Sequence, residues 1–290
     1  MNKELVEKIR EAVMKMLKDV DFDEKKHLYT RKSDGKWLQG VSTVSSVLPK
    51  PWLSAWGAKE VVKFLGFSDY DEIEKANKML MKIWNLGEKS DLSGYIALLK
   101  EAKGASYRKS KEAKADGTEG HLFLENWVKA KIRNEELPVM PTGMLERPCR
   151  QFIEWSDQNV EQWILSEAMV VSLKNDYAGT MDGLAIMKDG KLAVIDFKFA
   201  SHISEDYHLQ CAGYQNCFEE YGIKVDERII IRLPKTLEMD EYDKKTRKYS
   251  RVPNNMEVRI LTTGYEFDRD TFLHCLPVKK WINLMENRNK

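Results

Sequence analysis

"YAGTMDGLAIMKDGKLAVIDFKFA", residues 177–200, reads as two apolar strands joined at Lys188-Asp189-Gly190, yet it carries Asp182, Asp196 and Lys198. A charge inside a sheet is costly unless it is paired or holds a metal ion. The length of the turn decides which side chains meet. A two-residue Asp-Gly loop pairs Asp182 with Phe197 and puts the two aspartates on opposite faces. A three-residue loop, with Gly190 in the left-handed position of a G1 bulge, pairs Met187 with Lys191 and hence Asp182 with Asp196. Lys198, two residues on, then faces the same way.

Two carboxylates at ~4 Å repel by roughly 4 kcal/mol at an effective dielectric near 20, and one lysine offsets only part of that. A divalent cation reverses the sign, and hard oxygen ligands suit Mg²⁺ or Mn²⁺. A salt bridge of Lys198 with a carboxylate on a partly exposed sheet accounts for the hairpin alone equally well.

The chain around the hairpin has 290 residues, room for one large domain or two small ones. It is 42% hydrophobic, enough for a substantial core, and 32% charged, which is not a disorder signature. No apolar run approaches the roughly 18 residues of a membrane span. The start, MNKELVEKIREAVMKMLKDV, reads as an amphipathic helix without a signal-peptide core. Cys149, Cys211, Cys217 and Cys275 form no CxxC pair and no disulfide-like framework, so a reducing cytoplasm is the expected setting. That spacing also undercuts a structural zinc site. A net charge of +1 does not advertise a nucleic-acid partner. Basic stretches around 108–114 and 244–251 gain meaning only beside a phosphate-handling site.

Along the chain, residues 2–19 read as helix. HLYTRKSDGKWLQGVSTVSSVL reads as β-structure, with a turn at Ser33-Asp34-Gly35 and a β-branched run after Gly40. Helical patterns follow from about Leu53 to Ala102, from Thr118 to Asn134 and around 145–159. VEQWILSEAMVVSL reads as a strand, 204–221 as a helix and ERIIIRL as a strand. The sequence predicts one α/β domain with a helical N-terminal elaboration.

Further polar residues stand at suggestive spacings. His121 and Glu125 share a helix face, with Asp116 or Thr118 as candidate caps. Glu167 lies on the strand before the hairpin, and Gln210 and Tyr214 share a face of the helix after it. Taken singly, each has an ordinary structural explanation: a structural histidine, a surface strand carboxylate, a core tyrosine bonded to a glutamine.

Together, Gly117-x-x-x-His121, Gly179-Thr180-Met181-Asp182, Ile195-Asp196-Phe197-Lys198 and Gln210-x-x-x-Tyr214, in that order, resemble the RecB-like branch of the PD-(D/E)XK nucleases. TVSSVLPKPWLSAWGAK, upstream, is similar to the Ser-Val-Thr and Leu-x-x-Trp segment of phage exonucleases and their mitochondrial relatives. The resemblance covers roughly residues 29–235.

It implies a restriction-endonuclease-like core, a central mixed sheet flanked by helices, within a single nuclease domain over 1–290. Residues 1–103 would form the N-terminal elaboration, 104–235 the catalytic core, and 236–290 a C-terminal hairpin and helix. His121, Asp182, Asp196 and the backbone carbonyl of Phe197 would bind Mg²⁺, with Mn²⁺ as substitute. Lys198 would orient and help deprotonate the attacking water, or stabilise charge on phosphorus. Glu167 would join the catalytic group, and Glu125, Gln210 and Tyr214 would support it or contact DNA. Asp196 stands where many members of the wider superfamily carry Glu, which is normal for this branch. The iron–sulfur cluster of some members is not expected, because no cysteine precedes His121. The implied activity is a DNA exonuclease on linear DNA with a free end, in recombination, repair or replication, with room for a partner protein and no membrane. The implied place is the cytoplasm of a bacterium or phage-infected host. The alternative is an endonucleolytic or non-catalytic DNA-binding module.

Overall fold

The computed structural model describes residues 2–26, 28–66, 73–243 and 248–288. In chain order the elements are α1 (Asn2–Leu17), β1 (Val20–Asp23), β2 (Leu28–Arg31), β3 (Trp37–Gly40), α2 (Val41–Ser45), α3 (Trp52–Phe64), α4 (Ile73–Glu88), α5 (Leu92–Lys103) and α6 (Ala105–Arg133). There follow α7 (Glu146–Asn159), β4 (Val160–Ser172), β5 (Tyr177–Met187), β6 (Leu192–Phe199), α8 (Asp206–Glu219), β7 (Glu227–Leu233), β8 (Glu238–Asp243), β9 (Lys248–Pro253), β10 (Glu257–Leu261) and α9 (Tyr265–Arg288). They fall into two compact units. One comprises Met1–Leu48, Glu119–Lys235 and Asn255–Lys290; the other comprises Pro49–Thr118 and Thr236–Asn254.

The first unit is built on an eight-stranded sheet of order β1-β2-β3-β5-β6-β7-β10, with β4 along the other edge of β5. β3 with β5 and β6 with β7 are parallel, and the remaining pairs antiparallel. This is the expected mixed α/β sheet flanked by helices. Alternation along β6 shows why both faces are covered. Leu192 and Val194 join one apolar cluster with residues of α1, α8 and α9, while Ala193, Ile195 and Phe197 join another with residues of α6 and α7. A strand buried on both faces reads as a near-continuous apolar run, as LAVIDFKF does.

The hairpin takes the three-residue loop. The Met187 N–H donates to the Lys191 carbonyl at 2.8 Å, and Gly190 has φ +87°, a left-handed backbone that glycine adopts without steric cost. The ladder runs from Ile186 opposite Leu192 to Gly183 opposite Ile195. One more step places Asp182 opposite Asp196.

Two local expectations are corrected. The β-branched run after Gly40 is the short helix α2, because Val41 and Val44, three apart, both bury in the same core cluster. The helix bearing His121 begins at Ala105, not Thr118, so neither Asp116 nor Thr118 caps it. Its first turns are rich in Ala, Lys, Glu and Arg, which hold a helix by propensity without an apolar stripe to announce it. The candidate site strands lie inside the sheet, since β5 and β6 have neighbours on both sides.

The second unit holds α3, α4, α5, the start of α6 and a hairpin of β8 with β9. Asp91 caps α5, accepting from the Gly94 N–H at 2.8 Å. Of the basic stretch 244–251, residues 244–247 lie outside the described residues, as do the side chains of 113–116. In the other stretch Arg108 lies over the Phe64 ring and Lys109 pairs with Glu112. Among the described residues no helix is long and apolar enough to cross a membrane.

Candidate active site

β5 changes partner along one edge. Tyr177 and Ala178 pair with β3, and Gly183 to Ile186 pair with β6. Between them the four residues Gly179-Thr180-Met181-Asp182 span the gap where the carboxyl ends of β3 and β6 approach each other. Ligand clefts of open α/β sheets form outside carboxyl strand ends where neighbours diverge. Gly179 is needed there: a Cβ would lie 2.8 Å from both Tyr214 Cε1 and Val41 Cγ2.

Across this gap the Phe197 N–H donates to Asp182 Oδ2 at 2.6 Å. The N–H and C=O of one strand residue point to the same edge, so the Phe197 carbonyl faces Asp182 too. On its other side β5 pairs Ser166 with Gly183 and Ala168 with Met181. Glu167 therefore stands opposite Asp182, and Glu167, Asp182 and Asp196 form one row across three neighbouring strands. Glu167 has φ +46°, a left-handed backbone in a residue that has a Cβ. Such conformations cost on the order of 1–3 kcal/mol and gather at functional sites.

Lys198 closes the row. Its Nζ is 2.7 Å from both oxygens of Asp196, but only Oδ1 has hydrogen-bond geometry. Oδ2 is buried without a hydrogen bond. The ammonium also lies 5.1 Å from the centre of the Tyr207 ring on α8. His121 arrives on α6 from the other helical layer, its ring edge-on to Phe199 at 5.3 Å between centres. Its neighbour Gly120 lets α6 pass, because a Cβ there would clash with the outer edge of the Phe199 ring.

These groups disturb one another. Burial pushes Asp196 up to about 6, opposed by Lys198 and assisted by Asp182. Asp182 is raised by burial as well, against the pull of Lys198 and the Phe197 N–H. Glu167 is pushed up to about 7 by burial, then by the charges of Asp182 and Glu125. Burial, then Lys198, lowers His121 to about 4. For Lys198, burial favours loss of the proton, but Asp196 and Asp182 outweigh it and hold the ammonium above its usual range.

The structure thus brings His121, Glu125, Glu167, Asp182, Asp196 and Lys198 within electrostatic reach of one another. Glu125 is engaged by Lys129. Gln210 and Tyr214 support the site from α8, and the buried Tyr214 feels the charges of Asp196 and Asp182. The Gln210 amide donates to Ser45 Oγ at 3.1 Å, and Tyr214 packs against Gly179, so together they seat α8 on α2 and β5. Sequence reasoning missed Tyr29, whose hydroxyl is 3.1 Å from Thr180 Oγ1 and feels Glu167. It also missed Tyr207. No local pattern links residues 29 and 180, but Tyr207, Gln210 and Tyr214 share a helix face, a spacing that pointed to Tyr207.

Among the described residues no three His, Cys, Asp or Glu side chains are grouped closely enough to hold a metal ion. The donor chemistry still suits a hard cation: Asp196 keeps a buried oxygen without a hydrogen bond beside Asp182, and Glu167 feels the Asp182 charge. No protein-family model matches the chain, and no curated protein matches it.

Proposed function

We propose that this chain is a Mg²⁺-dependent deoxyribonuclease of the PD-(D/E)XK type, acting as an exonuclease on linear DNA. The observation that carries the reading is the row of Glu167, Asp182 and Asp196 with Lys198 on the Asp196 carboxylate. Asp182, Asp196 and the Phe197 carbonyl would hold the ion, flanked by Glu167 and His121. A divalent ion there supplies charge stabilisation at phosphorus and an acidified water.

The residues divide the remaining work. With its proton held by two carboxylates, Lys198 donates hydrogen bonds and stabilises negative charge, which favours the second of its two expected roles. Glu167, poised near neutrality, suits the acceptance of a proton. Tyr207 and Asp196 hold the lysine from two sides. The setting proposed from the resemblance is recombination, repair or replication in a bacterial or phage-infected cytoplasm.

The test is digestion of end-labelled linear and covalently closed circular DNA with Mg²⁺, Mn²⁺ or EDTA. Metal-dependent loss of the linear form with circles spared is expected. Rapid cutting of circles would replace the exonuclease with an endonuclease. Retention of DNA without cleavage under any metal would favour the binding module.

A further inference from the structure

A groove of about 440 Å³ opens in the sheet unit between β3 and the last turns of α9, lined by Trp37, Gln39, Lys280, Asn283, Leu284 and Glu286. Its volume is in the range of small-ligand sites. Trp37 is 67% exposed, so its indole face is open to a ligand in the groove. Strand alternation sends Leu38 into the core and leaves Trp37 and Gln39 on the groove side.

The polar groups have a definite pattern. Asn283 Nδ2 donates to Gln39 Oε1 at 3.4 Å, which leaves the Gln39 amide nitrogen as a donor and the Asn283 oxygen as an acceptor. A donor beside an acceptor matches the edge of a nucleobase. Cations stand at the rim. Lys36 is 2.6 Å and Lys280 3.8 Å from Asp176, and Arg31 meets the same carboxylate. Three positive groups therefore converge on Asp176, with Asp34 paired to Arg31 and Glu286 on the groove wall as the other acidic groups. Lys36 and Lys280 remain 48% and 43% exposed.

We propose that this groove is a base-stacking subsite that holds one unpaired nucleotide of a single-stranded nucleic acid. The base lies on the Trp37 indole with its edge toward Gln39 and Asn283, and Lys36 and Lys280 meet the flanking phosphates. Stacking on an exposed aromatic beside a basic rim is the common device for holding single strands without sequence preference. Gln39 pairs with Tyr177, and Asp182 lies five residues further along β5, about 17 Å at ~3.4 Å per residue. The role of the subsite as a strand guide rests on the nuclease reading, but its binding does not.

The experiment is fluorescence anisotropy with labelled oligothymidylate and oligouridylate of about twelve nucleotides, in EDTA so that no strand is cut. Trp37→Ala should weaken binding about 5- to 150-fold, the range for loss of one stacked base. Trp37→Phe should bind close to wild type, and both variants should melt like wild type because the indole is exposed. Lys280→Ala should flatten the salt dependence. A preference for one oligomer would assign DNA or RNA as the strand. Trp37→Ala binding as tightly as wild type, Trp37→Phe failing as badly as alanine, or no binding by wild type would each overturn the subsite. Metal-dependent digestion of linear duplex, measured alongside, stands or falls separately and reports on the nuclease reading.

Discussion

Asp182 accepts the Phe197 N–H at 2.6 Å, just beyond the last backbone pair of the hairpin ladder, Gly183 with Ile195. A carboxylate that carries the proposed chemistry thus also finishes the backbone bonding of β6. Asp182→Ala is expected to abolish cleavage and to cost about 1–3 kcal/mol, because the N–H loses its acceptor. Asp182→Asn keeps an acceptor, so it should lose activity with a smaller loss of stability. Urea unfolding beside a cleavage assay separates the two effects.

Asp196→Ala should likewise be inactive. It also leaves Lys198 without its carboxylate in a site where Asp196 is 1% exposed, a loss on the order of 3 kcal/mol. Adding Lys198→Met to it should restore much of the stability and none of the activity. Undiminished DNase activity in purified Asp196→Ala would falsify the assignment of the site.

Lys198→Ala should lower single-turnover cleavage by orders of magnitude while leaving DNA affinity in Ca²⁺ largely intact, since the carboxylate row remains. Lys198→Arg should rescue poorly, because a planar, bulkier guanidinium cannot take the place of an ammonium seated between Asp196 and the Tyr207 ring. Loss of DNA binding with a retained rate at saturation would make the lysine a phosphate anchor instead.

Glu167 titrates at about 7, against about 4.3 in an unfolded chain. The folded state therefore holds the extra proton, and the stability it contributes below about pH 4.3 is lost as pH rises to about 7. Glu167→Gln has no such loss. In EDTA it should exceed wild type by on the order of 2–3 kcal/mol at pH 8, a gap that closes toward pH 4. His121, lowered to about 4, acts in the opposite sense below about 6.5, but in both proteins, so the difference isolates Glu167. Mg²⁺ should narrow the gap by binding the ionised wild-type site. A gap independent of pH would refute the raised carboxyl.

Gly120→Ala should destabilise the protein despite the better helix propensity of alanine, worth about 1 kcal/mol. The added methyl meets the Phe199 ring, and overpacking of this kind costs about 1–3 kcal/mol. Because His121 is the next residue, cleavage should fall too. Thermal melts of Gly120→Ala and of Ala130→Gly, at a buried site elsewhere on the same helix, compare the two effects.

Local sequence narrowed the hairpin to two registers, because Lys188-Asp189-Gly190 admits few turns and the turn fixes which face every later side chain takes; the folded backbone selected the three-residue loop. Strand alternation then put Asp182, Asp196 and Lys198 together, and the apolar runs of β6 and β7 marked a sheet buried on both faces. The early start of α6 and the helix at Val41–Ser45 were not legible, because propensity and packing there outweigh pattern. Only the tertiary structure decided that Glu167 is left-handed and stands in the carboxylate row, that Tyr29 reaches Thr180, and that Gln210 is spent on Ser45. Those relations join residues far apart in the chain, and their energies come from burial and close approach, which no short window of sequence contains.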